Sequence, residues 1–253
     1  MAATITAATV AIMSTDDPVA RRLPVVAYVT LALALVMMLL GVQRAIAYSY
    51  MAFVSEGVGD ALNTDQSISA EKLDQAAIAL QKAILVLPAA SSLHQVLGRV
   101  EQRRASLEGV GSDEPIARRH LAAREFDKSI AAAPARALPW ALAAQARELL
   151  AEPVHSIIPY LRYSYFLGPQ EASNILSRTE VIVTHWSVMP DDIRQNARRD
   201  LKQLWLYPDL QYAFIDRYLR ASLELRSLML RDSMLSAGDK RNFDHQIRKA
   251  VGL

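Results

Sequence analysis

The chain has 253 residues, of which 52% are hydrophobic and none is cysteine. This length and apolar content are sufficient for one large domain or two small ones with a sizeable core, which excludes a disordered protein. The absence of cysteine excludes disulfides, thiolate metal sites and cysteine nucleophiles. The net charge of +2, from 28 lysine and arginine residues against 26 aspartate and glutamate residues, gives no electrostatic case for nucleic acid as a partner.

The first predicted elements are an unstructured tail over residues 1–22 and a transmembrane helix from Leu23 to Val42, which with its interface residues ends at 47. The segment LPVVAYVTLALALVMMLLGV contains no charged residue, and as a helix it measures about 30 Å, the thickness of the bilayer's hydrocarbon core. A buried core helix and a cleaved signal peptide are the alternatives, the second because AIA at 45–47 resembles a cleavage site. An uncleaved anchor is favoured, because the apolar segment is longer than a signal core and Arg44 separates it from that site.

Charged residues on either side of this helix predict its orientation. Arg21 and Arg22 precede it, whereas only Arg44 follows closely, and positive residues favour the cytoplasmic side. The sequence thus predicts a single-pass protein of a bacterial inner membrane, with a cytoplasmic N-terminus and a periplasmic C-terminal domain. Tyr48 and Tyr50 suit the far interface, where aromatic residues are enriched.

A polar, glycine-bearing linker is predicted at residues 48–68, and only helices are predicted beyond it. Ser69 is placed to cap a helix whose apolar residues recur at helical spacing until Pro88. No alternating apolar and polar pattern of strand length follows, so the predicted fold class is all-α.

Two successive stretches match the register of a tetratricopeptide repeat. Ala122, Phe126 and Pro134 fall on its alanine, aromatic and proline positions, and Trp140 falls on the tryptophan position of the next unit. The same register accounts for an earlier set of residues: Ala76, Leu80, Ala83, Pro88, Leu97 and Gly98. Such units bury their apolar faces by stacking, so the sequence predicts a tetratricopeptide-like α-solenoid over residues 69–184, with Phe126 and Trp140 in its core.

Residues 185–253 depart from this register and are predicted to form a helical cap on the end of the stack. A proline and two aspartates at 190–192 are typical of a helix start, and Tyr207-Pro208 is typical of its end. A longer helical segment is predicted from about Leu210, followed by a turn and a short closing helix.

The order of these features resembles a family of single-pass, tetratricopeptide-like membrane proteins found with the exopolysaccharide biosynthesis systems of proteobacteria. The resemblance is carried by the anchor from Leu23 to Val42 and by the segments APARALPWALAAQARELL, YFLGP, HWSVMPDDIRQNARRDLKQLW and YPDL. It covers most of the chain and implies an accessory role in making or exporting a polysaccharide. It transfers no catalytic motif.

The sequence predicts no catalytic, cofactor-binding or metal-binding residue. Its five histidines have no partner at metal-ligand spacing and are expected to be structural or surface residues. Asp191 and Asp192 are attributed to a helix start and not to a metal site. The arginine pairs at 103–104, 118–119 and 198–199 have acidic neighbours, which predicts local ion pairs on solvated helix faces.

If the repeat register holds, the first helix of each unit lines a concave groove. We predict that this groove binds a partner protein's peptide, with a glycan as the less favoured ligand, because the groove positions are polar. The predicted partner-binding residues are Gln95, Arg99, Gln102, Arg103, Gln145 and Glu148.

The leading hypothesis for function is a non-catalytic, membrane-anchored scaffold in exopolysaccharide polymerisation or export. Its expected partners are other membrane or envelope proteins, such as polysaccharide polymerase or export components, and the bilayer itself. An assembly factor for a respiratory or secretion complex is the alternative. A glycan-modifying enzyme is a third possibility, which convergent acidic residues in a deep pocket would favour.

Overall fold

The computed structural model describes residues 18–59, 62, 68–108, 113–232 and 237–252. Within these residues the chain is helical and contains no strand, which confirms the predicted all-α class. Two units are distinguished, residues 1–46 and residues 47–253. The eleven α-helices of the described residues are α1 Pro18–Val54, α2 Ala70–Val86, α3 Ser91–Leu107, α4 Glu114–Ala132, α5 Ala137–Leu149, α6 Val154–Leu167, α7 Ala172–His185, α8 Asp191–Leu206, α9 Gln211–Arg220, α10 Leu223–Asp232 and α11 Ala237–Ala250.

Helix α1 begins at Pro18. Proline suits the first helical position because it has no N–H group, and an N–H group at that position would have no partner within the helix. Residues 18–22, which the sequence analysis assigns to a tail, therefore lie in this helix, and residues 1–17 lie outside the described part of the chain. Every side chain from 26 to 42 is exposed, although most of these side chains are apolar. The helix is long and apolar enough to span a membrane.

The linker predicted for residues 48–68 begins as helix. Helix α1 continues to Val54 and is followed by a π-helical segment, Ser55–Gly59. This region is ordered by packing, because Ala47, Val54 and Val58 are almost fully buried in a cluster with residues of α2 and α3. Residues 60, 61 and 63–67 lie outside the described residues.

Helix α2 starts as the sequence predicts. The hydroxyl of Ser69 accepts a hydrogen bond from the backbone N–H of Lys72 at 3.4 Å, which satisfies one of the free donors of the first turn. The helix ends at Val86, with Pro88 just beyond it. Leu73 and Leu80 are fully buried on its inner face.

Helices α3 and α4 approach closely at the residues that the repeat register singles out. A Cβ atom added to Gly98 would lie 2.5 Å from Cε1 of Phe126, and both Ala122 and Phe126 are completely buried. Trp140, predicted as a core residue, is instead half-buried. Its ring stacks on Tyr163 with 4.6 Å between centroids, and its Nε1–H donates to the carbonyl of Pro134.

The C-terminal helices enclose an aromatic and aliphatic core. Helix α8 spans the predicted limits, from the residue after Pro190 to the residue before Tyr207. The longer helix predicted from about Leu210 is two helices, α9 and α10, which are separated at Ala221 and Ser222. The Ser222 hydroxyl caps the second helix by accepting a hydrogen bond from the N–H of Leu225 at 3.3 Å. Trp205, Phe214 and Phe243 bring α8, α9 and α11 together.

Candidate functional site

An open groove of about 920 Å³ lies in the helical part of the described chain. Most of its lining comes from every second helix, α3, α5, α7 and α9, with contributions from Leu62 and Arg119. Short connections join the consecutive helices, and the helices that provide most of the lining alternate along the chain. The groove is therefore built from residues of four helices that are distant in the sequence.

One end of the groove is basic and is formed mainly by α3. Arg99, Gln102, Arg103 and Ser106 lie three or four residues apart, a spacing that places them on one face of the helix. The Arg99 guanidinium donates to the backbone carbonyl of Leu62. Burial lowers the pKa of Arg99, because desolvation disfavours the charged form.

A third arginine, Arg119 of α4, also lines the groove. Its Nη1 donates to the carbonyl of Leu149 at 3.1 Å. This carbonyl belongs to the last turn of α5, where backbone oxygens lack helical partners and carry the negative end of the helix dipole. The bond holds the arginine at the edge of the groove and stabilises the end of α5.

The opposite end of the groove carries an internally neutralised cluster from α7 and α9. Arg220 donates to both carboxylate oxygens of Glu180, at 2.6 and 3.0 Å, and to Asp216 at 2.5 Å. Arg217 pairs with Glu180 at 2.5 Å and also contacts Asp216. The hydrogen bond with Glu180 raises the pKa of Arg220. Two arginines and two carboxylates thus balance one another here.

Taken together, the described lining is positive and partly apolar. It contains five arginines, one glutamate and one aspartate, a formal charge of +3. Leu138, Leu142 and Leu176 add apolar side chains to the lining. The groove therefore offers hydrogen-bond donors, positive charge and apolar surface, which are the groups that recognise a chain-like ligand.

The structure brings four of the six predicted partner-binding residues into the groove: Arg99, Gln102, Arg103 and Gln145. Gln95 does not line it. This side chain is 7% exposed and its Oε1 has no hydrogen-bond partner among the described residues. Helix α3 packs against both α2 and α4, and Gln95 lies on a buried part of its surface.

Glu148 is also absent from the groove lining. It lies beside His185, with 4.0 Å between the nearest charged atoms, and hydrogen-bonds with Thr184. Burial raises the pKa of Glu148, and the negative charge of Glu180 adds to this effect. Its carboxylate is thus engaged with the end of α7, although the repeat register had assigned it to the groove.

The residues that α7 and α9 contribute to the groove were not predicted from the sequence. Glu180, Asp216, Arg217 and Arg220 lie at or beyond the end of the assigned repeats. The only local signal is the spacing of Asp216 and Arg220, four residues apart on one helix. Pairing with Glu180 depends on how α9 packs on α7, which no local pattern specifies.

The predicted local ion pairs are observed for two of the arginine doublets. Arg118 contacts Glu101, Glu108 and Glu114, and Arg104 contacts Glu101 and Asp74. Glu101 is completely buried between these two guanidinium groups. Among the described residues, no three histidine, aspartate or glutamate side chains are grouped so as to hold a metal ion.

No model of a known protein family matches the sequence, and no curated protein is significantly similar to it.

Proposed function

We propose that the protein is a non-catalytic, membrane-anchored scaffold of exopolysaccharide polymerisation or export, and that it binds partner proteins through its helical groove. The observation that carries the proposal is the groove itself, whose lining comes from α3, α5, α7 and α9. A surface formed by alternate helices of a tetratricopeptide-like stack is extended, concave and suited to protein recognition. The tetratricopeptide-like arrangement of residues 69–184 is part of this proposal.

The exposed apolar surface of α1 supports the membrane-anchored part of the proposal. The large apolar side chains from Val26 to Val42 are 42–72% exposed. An apolar surface of this length is stable in a bilayer and is a liability in water. Arg21 and Arg22, which precede the apolar segment from Leu23 to Val42 within α1, orient it with the N-terminus in the cytoplasm and the remaining chain in the periplasm of the inner membrane.

The polysaccharide context rests on the family resemblance of the anchor and the helical segments. An assembly role in a respiratory or secretion complex would use the same groove and anchor. A glycan-modifying enzyme would need carboxylates free to act as acid and base. Among the described residues of the lining, the carboxylates are those of Glu180 and Asp216, and both are instead bound to Arg217 and Arg220.

The proposal is tested by crosslinking the full-length protein in living cells and identifying the recovered proteins and glycans. We expect polysaccharide polymerase, copolymerase or export components, and we expect their loss in the variant Arg99→Glu/Arg103→Glu. The matched control is Arg124→Glu/Arg241→Glu, which reverses two exposed arginines that do not line the groove. Recovery of respiratory or secretion subunits alone would refute the polysaccharide assignment.

A further inference from the structure

An aromatic surface lies on the side of α5 that faces away from the groove. Trp140 is placed about 160° around the helix axis from the groove residues Leu138 and Leu142. Its ring stacks on that of Tyr163 in α6, whose side chain is 52% exposed, so water reaches this ring pair. Together with Tyr160, whose ring centroid lies 5.7 Å from that of Trp140, these rings form what we call the aromatic platform.

Hydrogen bonds and an ion pair hold the aromatic platform in place before any ligand arrives. The indole N–H of Trp140 donates to the carbonyl of Pro134 at 2.9 Å. The Arg147 guanidinium lies 4.0 Å from the centre of the Tyr160 ring, and its Nη2 donates to both carboxylate oxygens of Asp127 at 2.9 Å. Side chains fixed in this way lose little conformational freedom on binding, which favours a ligand of defined shape.

Two classes of ligand that aromatic surfaces commonly bind fit this platform poorly. A cation is disfavoured, because the Arg147 guanidinium already lies over the Tyr160 ring and would repel a second positive charge. A proline-rich segment offers carbonyl groups and no proline N–H, so it needs donors on the protein. The indole N–H of Trp140, which could serve as such a donor, is already bonded to Pro134.

The charged groups beside the platform favour a neutral ligand that carries hydrogen-bond donors. The carboxylates of Asp127 and Glu152 lie 2.9 and 3.8 Å from the Arg147 guanidinium, and both are partly exposed. Burial raises the pKa of Tyr160 and the two carboxylates raise it further, so their charges act on the platform itself. Two carboxylates around one guanidinium leave acceptor lone pairs for hydroxyl groups and repel an acidic sugar.

We propose that the aromatic platform binds the pyranose rings of a neutral glycan. A pyranose presents C–H groups on its ring faces and hydroxyl groups at its rim. The C–H groups pack on the exposed parts of Tyr163 and Trp140, and the hydroxyl groups of the chain donate to Asp127 and Glu152. This surface is separate from the groove, so the inference goes beyond the proposed binding of partner proteins and does not depend on it.

The tryptophans of the chain allow a specific test. Of the three, Trp186 and Trp205 are 4% and 2% exposed, whereas Trp140 is only half-buried. A glycan on the platform should therefore protect mainly Trp140 from acrylamide, a quencher of tryptophan fluorescence. The full-length protein is titrated in lauryldimethylamine oxide micelles, which contain neither tryptophan nor sugar.

The probes are cellohexaose, oligogalacturonate of the same length and a hexaproline peptide. In cellohexaose the ring hydroxyls are equatorial, so both faces of each ring present C–H groups. We expect cellohexaose to reduce acrylamide quenching and its binding to be insensitive to salt, because the ligand is uncharged. Oligogalacturonate and hexaproline should leave the quenching unchanged at the same concentrations.

Variants of Tyr163 locate the site. Tyr163→Ala removes an exposed ring and is expected to weaken cellohexaose binding about tenfold or more. Tyr163→Phe keeps the ring and should bind as the unmodified protein does. The control is Tyr207→Ala, at a tyrosine of similar exposure outside the platform, and it should also bind normally. Titration calorimetry measures the affinities, and circular dichroism melting curves establish that each variant is folded.

Absence of cellohexaose binding, unchanged binding by Tyr163→Ala, or tighter binding of hexaproline or oligogalacturonate would each overturn the glycan proposal. The groove is tested separately. If cellular crosslinking recovered polysaccharide machinery in a manner dependent on Arg99 and Arg103, the proposed function would stand without the glycan site. If cellohexaose bound as expected while crosslinking recovered respiratory or secretion subunits alone, the glycan site would stand and the polysaccharide assignment would fall.

Discussion

Arg178 in α7 and Asp200 in α8 form an ion pair in which both side chains are buried. The Nε atom of Arg178 lies 2.8 Å from Oδ2 of Asp200, and the two side chains are 0% and 1% exposed. The hydroxyl of Tyr165 donates to the same carboxylate at 3.0 Å, and Nη1 of Arg178 donates to the carbonyl of Gly168 at 2.9 Å. The pair therefore joins α6, α7 and α8 in the interior.

We expect Asp200→Asn to lower the free energy of unfolding by about 3–5 kcal/mol, because it leaves a buried guanidinium without its counter-charge. The control is Asp192→Asn, which removes a carboxylate from the same helix but from an ion pair with Arg162 in which both side chains are about half exposed. Urea unfolding followed by circular dichroism measures both variants. Similar small losses in the two would show that the buried pair has no special role in stability.

Gly98→Ala is expected to destabilise the protein, although alanine is the better helix former. The added methyl group would overlap the fully buried ring of Phe126, with the nearest atom at 2.5 Å. Overpacking of this kind costs about 1–3 kcal/mol, which exceeds the gain of about 1 kcal/mol from helix propensity.

The control for Gly98→Ala is Gly57→Ala, because no atom lies within 4 Å of the added carbon at that position. We expect the thermal midpoint to fall for the first variant and to stay unchanged or rise for the second. A rise for both would mean that α3 and α4 can separate at Phe126 without cost.

His94 and Glu125 predict a pH dependence of stability. The Nδ1 atom of His94 lies 2.6 Å from a carboxylate oxygen of Glu125, and Nε2 lies 2.8 Å from the carbonyl of Pro88. Both neighbours are acceptors, so both ring nitrogens are satisfied only when the imidazole is doubly protonated. The hydrogen bond with Glu125 accordingly raises the pKa of His94, against the opposing effects of burial and Lys128.

The pKa of Glu125 is shifted in the other direction. Burial alone would raise it, but hydrogen bonds from His94 and Lys128 hold it below its ordinary value. The contribution of Glu125 to stability is thus present above pH 4.5 and lost as the pH falls through the folded pKa. The contribution of His94 is present below pH 6.5 and lost as the pH rises through the higher folded pKa.

We therefore expect the contribution of this pair to be largest between pH 4.5 and 6.5. His94→Gln should remove the part of the stability decline that occurs above pH 6.5. His155→Gln, at an exposed histidine of α6, is the control and should leave the profile unchanged. Thermal midpoints measured from pH 4.5 to well above 6.5 test the effect, and superimposable slopes for the two variants above pH 6.5 would contradict it.

Leu33→Arg/Leu35→Arg should prevent stable membrane insertion of α1. Each arginine near the centre of a membrane-spanning helix adds about 2.5–3.5 kcal/mol to insertion. We expect the protein to leave the membrane pellet after alkaline extraction, whereas Ile78→Arg, at an exposed apolar residue of α2, should remain in it.

Mass spectrometry of the membrane-bound protein distinguishes an uncleaved anchor from a signal peptide. The anchor predicts that peptides from Leu23 to Val42 are retained. Their loss, together with release of the chain into the periplasm, would refute the single-pass assignment.

The sequence by itself determined the helical class and several of the helix limits. Ser69, Pro190 and Pro208 mark helix ends through their own hydrogen-bonding and backbone properties, which act within a few residues. The apolar segment from Leu23 to Val42 is likewise a local signal, because a continuous run without charges needs no tertiary contact to be identified. The spacing of Arg99, Gln102 and Arg103 placed them correctly on one face of α3.

Only the tertiary structure decided which of these faces meet. Gln95 lies one turn before Arg99 in the same stripe and is nevertheless on a buried part of α3, which packs against both α2 and α4. The pairs Arg178 with Asp200 and Glu180 with Arg220 join residues 22 and 40 positions apart. Helical periodicity fixes the direction of a side chain relative to its own helix axis. Contacts between helices depend instead on the angle and rotation at which whole helices pack. Every residue of the interface contributes to that packing, so no local pattern specifies it.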